Sequence, residues 1–164
     1  MALRKALDLE METLQKAGGP YPARLRASDS TGIQLTALVA AMDSLGCAVT
    51  EIEVFVPQLQ SAAFDVLKQW AQHLSQQLTY LLEQLAPLEF DESGGQVLIR
   101  STRPDQLPDG TQYYEIILSQ HGAGNFLFRR YMATKGQPGR VPVDMILTRQ
   151  VMLKLVDDLE ATIP

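Results

Sequence analysis

The chain has 164 residues, 46% of them apolar and 20% charged, with a formal net charge of −5. That length and composition describe one globular domain, 1–164, able to bury roughly two thirds of its unfolded surface, and they exclude disorder. The acidic balance argues against nucleic acid and anionic membranes as partners and favours solubility.

Cys47 is the one cysteine, which excludes an intramolecular disulfide and a cysteine metal cluster. In an apolar strand it is expected to pack as a small core residue. The first residues, MALRKALDLEMETL, lack the apolar run of a signal peptide, and no stretch approaches the roughly 18 apolar residues of a membrane span. A soluble, intracellular, cytoplasmic protein without membrane contact is the expectation.

Residues 2–17 read as an amphipathic helix, with Leu3, Leu7, Met11 and Leu14 on one face and Gly18-Gly19-Pro20 as the stop. Arg24 to Ala27 alternates weakly and meets a loop, Ser28 to Gly32. Residues 33–42 fit two periods. Ile33, Leu35, Ala37, Val39 and Ala41 alternate as in a strand, while Leu35, Leu38, Val39, Met42 and Leu45 fit a helix almost as well. The clean start of the alternation after a glycine-ended loop favours the strand. Asp43 to Gly46 is a turn with Asp first and Gly last, and 47–56 is a strand ended by Pro57.

Phe64, Leu67, Ala71, Leu74, Leu78, Leu81 and Leu85 are spaced alternately three and four apart, the stripe of a long central helix. With Ser61 as N-cap and Pro87 as the end, that helix has about 25 residues and spans roughly 38 Å. From Gln69 to Leu82 it carries no Asp, Glu, Lys or Arg. Solvated helix faces carry charge, and loss of charge with aromatics kept marks an interface. Trp70, His73, Gln77 and Tyr80 are the candidate interface residues.

The second half reads as antiparallel sheet. Ser93-Gly94-Gly95 is a hairpin turn into QVLIRST, and Pro108-Asp109-Gly110 marks a second turn. Strands at 112–119 and 125–134 are joined by a loop at His121 to Gly124, whose glycines are expected at positive φ. VPVDMIL is one short strand, with Pro142 placing it at an edge. Thr148 caps a last helix carrying Met152, Leu155, Val156, Leu159 and Ile163. The order α-βββ-α-ββββ-α gives an α+β fold: a mostly antiparallel sheet in two β-meander segments, packed with a long central helix and N- and C-terminal helices.

Signatures of phosphate loops, nucleophile elbows and zinc proteases are absent, and Gly122-Ala123-Gly124 lacks the third glycine of a dinucleotide fingerprint. No catalytic residue, metal or cofactor is expected. Glu51 and Glu53 share a strand face about 7 Å apart, where solvent exposure explains them as well as acid–base chemistry does. Asp157, Asp158 and Glu160 oppose the dipole of the last helix and are expected to face solvent or a partner. Between Gln120 and Pro142 lie Arg129, Arg130, Lys135 and Arg140 with no acidic residue. Arg129 and Arg130 point to opposite faces of their strand, so one faces inward and needs a carboxylate or a ligand. Glu115 and Asp144 are the nearest candidates in sequence.

Two functions fit. The first is a non-catalytic interaction protein forming a homodimer, consistent with the uncharged helix and with an element order similar, at the level of fold only, to small acidic α+β dimers that chaperone or scaffold other proteins. The second is a small-anion or small-ligand domain, or an enzyme, using Arg129 and Arg130 with His121.

Overall fold

The computed structural model describes residues 2–164. Three helices cover one face of a sheet: α1 (Ala2–Ala17), α2 (Phe64–Gln77) and α3 (Arg149–Thr162). The strands are β1 (Ala23–Ser28), β2 (Gln34–Met42), β3 (Gly46–Phe55), β4 (Leu85–Asp91), β5 (Gln96–Ser101), β6 (Asp105–Leu107), β7 (Gly110–Ser119), β8 (Phe126–Thr134), β9 (Val141–Val143) and β10 (Met145–Thr148), with a 3₁₀ turn at Pro57–Ser61. The order across the sheet is β1-β2-β3-β8-β7-β5-β4, with antiparallel neighbours throughout. The expected α+β class holds. No helix among the described residues is long and apolar enough to cross a membrane.

Local chemistry accounts for most boundaries. α1 buries Leu3, Leu7 and Met11 completely, and Gly18 at φ 72° closes it, its N–H donating to the Leu14 carbonyl at 3.0 Å. Residues 34–42 are strand. β1 and β3 bond to both edges of β2, and Leu35, Ala37 and Val39 alternate into the core. Asp43 makes the following turn by accepting from the N–H groups of Leu45 and Gly46 at 2.8 and 3.0 Å. These two bonds hold its carboxyl below the usual range. Thr148 caps α3 by accepting from the Val151 N–H at 3.1 Å.

The long central helix is not formed. α2 stops at Gln77, Ala63 stands at its N-cap in place of Ser61, and Pro87 lies inside β4 opposite Ile99. Leu78, Leu81 and Leu85 are buried as their spacing implied, but from irregular chain and a strand. Long-range bonds outweigh helix propensity here. The Tyr80 hydroxyl donates to Asp158 on α3 at 2.7 Å, and the Gln84 carbonyl accepts from the Thr102 N–H at 2.8 Å. Residues 85–91 then pair with β5.

VPVDMIL is likewise two strands. β3 and β8 pair only through Ile52–Val54 and Phe126–Phe128. Beyond that they separate, and the segment fills the gap. β9 bonds to β8, the chain breaks at Asp144, and β10 bonds to β3. In the helix layer α3 lies between α1 and α2 and touches both. Between layers, Trp70 packs on Phe126 with ring centroids 6.3 Å apart, and its indole N–H donates to the Thr162 hydroxyl at 3.1 Å.

Candidate functional site

Arg129 and Arg130 point to opposite faces of β8, as strand geometry requires. Arg130 faces the helices and is 8% exposed. Its partner is Glu83, in the chain between α2 and β4, at 2.8 Å; neither Glu115 nor Asp144 fills that role. The sequence distance of 47 residues hid this pairing. Around it, Ser101 Oγ donates to Glu83 at 2.6 Å and accepts from the Tyr114 N–H at 2.9 Å. Arg130 Nε donates to Gln112 at 3.3 Å, and the guanidinium stands 4.2 Å from the Tyr114 ring centroid. Arg130 Nη1 is buried and bonds to no protein atom among the described residues.

The opposite face carries a cross-strand charge row: Glu51 on β3, Arg129 on β8, Glu115 on β7 and Arg100 on β5. Arg129 grips Glu51 through Nε and Nη2 at 2.9 and 2.6 Å. Its charge is further favoured by the Tyr131 hydroxyl, the leading cause of its raised pKa. Glu115 is 2% exposed on this face because two arginines cover it. Arg100 Nε donates to its Oε1 at 3.0 Å, and Arg140 binds both its oxygens, at 2.6 and 3.0 Å. Arg140 also stacks on Tyr131, 3.7 Å from the ring centroid, and donates to the Tyr113 hydroxyl at 3.2 Å. Hydrogen bonding to Glu115 is the main cause that raises its pKa.

His121 is exposed, against Gly95 of the β4–β5 turn, and bonds to neither arginine. Its loop is held by Asn125, a fully buried residue that belongs to no recognisable motif. Asn125 Oδ1 accepts from the Val56 N–H at 2.7 Å and its Nδ2 donates to the Ser119 carbonyl at 2.9 Å. The adjacent glycine pair was the available signal. Gly122 has φ 77° as expected, but Gly124 does not have positive φ; it leaves room for Glu53, whose Oε1 would lie 3.0 Å from an added Cβ.

The candidate interface residues separate. Trp70 is fully buried in the core and offers no surface. Tyr80 is half-buried, with burial foremost and its bond to Asp158 next in raising its pKa. Asp158 is itself buried, against the expectation of a solvent- or partner-facing acid, because α3 turns it toward Tyr80. His73 and Gln77 are exposed, beside Gln69, Gln72 and Gln76. Next to this uncharged surface is a cleft of about 470 Å³ lined by Gln72, Gln76, Leu78, Thr79, Leu82 and Leu85, among others. Leu82 is 99% exposed and has φ 64°. Leu88 and Phe90 on the edge strand β4 are exposed as well.

No family model, curated protein or solved structure matches this chain.

Proposed function

We propose that this chain is a non-catalytic interaction protein, scaffold- or chaperone-like, that works as a homodimer through the surface formed by α2, the 78–84 connection and β4. The observation that carries this reading is Leu82. A bulky residue at positive φ with its side chain in solvent costs backbone strain and gains no burial in the monomer. Burying one such leucine stabilises by about 1.5–3 kcal/mol.

A second copy is the occupant that fits. A two-fold interface must be self-complementary, and here an apolar projection and a hollow lie side by side, so each Leu82 enters the other copy's cleft. The charge distribution agrees. The chain carries −5 overall, yet the stretch from Gln69 in α2 to Leu82 in the connection has no charged side chain, so two copies of that stretch meet without like-charge repulsion, with Glu83, Glu89 and Asp91 at its border. Sedimentation equilibrium tests it: a dimer at tens of micromolar, which corresponds to about 7 kcal/mol of association free energy, supports the reading, and a clean monomer there removes it.

A second reading keeps one observation in its favour. Arg130 Nη1 is buried and has no hydrogen-bond partner among the described residues, so a small anion or a ligand oxygen reaching it would satisfy a donor that the protein leaves unpaired. Phosphate or small carboxylates that raise the melting temperature of the native chain but not of Arg130→Met would support it; no shift with either would remove it.

A further inference from the structure

The outer sheet face holds a seat whose chemistry is that of an arginine-recognition site. Its base is the Glu115 carboxylate, 2% exposed and fixed from one side by Arg100 Nε at 3.0 Å. Its walls are Tyr113 and Tyr131, with ring centroids 6.1 Å apart. The present occupant is Arg140, bound to both carboxylate oxygens and lying 3.7 Å from the Tyr131 centroid. A flat guanidinium satisfies the carboxylate fork and the ring together; an ammonium meets one oxygen at a time and does not stack.

Arg140 reaches the seat from the exposed connection between β8 and β9, directly before the paired residue Val141. Residues 135–140, between β8 and β9, are all exposed, and Gly136 and Gly139 have φ of 76° and 77°. The Lys135 and Gln137 N–H groups are tied at 2.7 and 3.2 Å. Past them, the Arg140 side chain is the tether to the sheet until β9 begins. When Arg140 leaves, Glu115 Oε1 keeps Arg100, but Oε2 loses the partner it has here. Oε2 is then open to water, and Glu115, the Tyr131 ring and the Tyr113 hydroxyl stand free for a replacement guanidinium.

The geometry points to Glu115, Tyr113 and Tyr131 as a binding site for an arginine side chain of a partner polypeptide, held closed by the chain's own Arg140. It lies on the sheet face opposite the helices, with Arg100 and Tyr113 bordering a cleft shared with Leu88 of β4. Binding there exchanges one guanidinium for another and releases the Arg140 side chain, while the bonds of Lys135 and Gln137 stay in place. Because Arg140 competes from a short tether, at an effective concentration on the order of millimolar, a partner arginine wins only with further contacts around it.

The test is calorimetric titration of the full chain with acetyl-Gly-Arg-Gly-amide, and with the lysine analogue as control. Arg140→Ala is expected to bind the arginine peptide saturably, at least about tenfold more tightly than it binds the lysine peptide and than native protein binds the arginine peptide. Adding Glu115→Gln is expected to abolish the signal. Should that variant fail to fold, Tyr131→Leu in the Arg140→Ala background takes its place and is expected to weaken binding at least about threefold. No saturable binding to Arg140→Ala, equal affinity for the two peptides, equal binding by native protein, or indifference to both seat substitutions overturns the proposal.

Discussion

Arg130 and Glu83 meet at 2.8 Å between the sheet and the helices, each with its side chain 10% exposed. One comes from the middle of β8 and the other from the connection that ends α2, so the pair ties the sheet to the point where the expected long helix gives way. Removing either partner leaves a buried charge. Arg130→Met and Glu83→Gln are each expected to cost about 3–5 kcal/mol in urea unfolding, and the double variant less than the sum. Additive losses would mean that the two side chains do not act as a pair.

Arg129 and Glu51, one residue along and on the other face, set the contrast. The Arg129 side chain is 39% exposed, and water screens its pair. Arg129→Ala is expected to cost no more than about 1 kcal/mol by the same measurement. A loss as large as that for Arg130 would show that the outer row is as sheltered as the core.

The difference between these neighbours marks what the sequence makes legible. Strand alternation is enough to place them on opposite faces and to require a carboxylate for the inner one. It cannot name Glu83, because that contact depends on how a chain 47 residues earlier turns. The same turn defeated the helix reading. Leu78, Leu81 and Leu85 keep a helical spacing because they enter one core, and spacing alone does not distinguish a helix from a folded-back connection. Where the partner lies close in sequence, as at the Asp43 turn, the Gly18 stop or the Thr148 cap, the reading and the structure agree. In the sequence Arg140 is one of four basic residues in an otherwise uncharged stretch; its seat on Glu115 needs three strands in register.

Tyr80 links the 78–84 connection to α3 through its bond to the buried Asp158, with Lys154 a further 3.7 Å from that carboxylate. Tyr80→Phe keeps the ring and removes the donor. It is expected to cost about 1–3 kcal/mol, read as a lower urea midpoint at unchanged slope. An unaltered midpoint would show that Lys154 alone satisfies the carboxylate.

Burial, with Asp43 adding to it, pushes the Cys47 thiol up to about 11 from an ordinary value of 9.0. A raised thiol pKa contributes stability that is complete below the unfolded value and lost as pH rises through the folded one. The stability gap between native protein and Cys47→Ala is therefore expected to be level up to about pH 9 and to fall by at most about 1.4 kcal/mol per unit between 9 and 11. Chemical denaturation of both proteins at pH 8 and pH 10 reads it; a gap that stays constant contradicts the burial argument.

The central claim is that Leu82 and the uncharged stretch from Gln69 to Leu82 join two copies. Sedimentation equilibrium of native protein beside Leu82→Asp tests it most directly, since Leu82 is 99% exposed and its replacement leaves the monomer core untouched. The account predicts a native dimer whose dissociation constant rises by at least about tenfold in the variant, as expected for a lost apolar anchor. A native monomer, or a dimer that Leu82→Asp leaves unchanged, would contradict it.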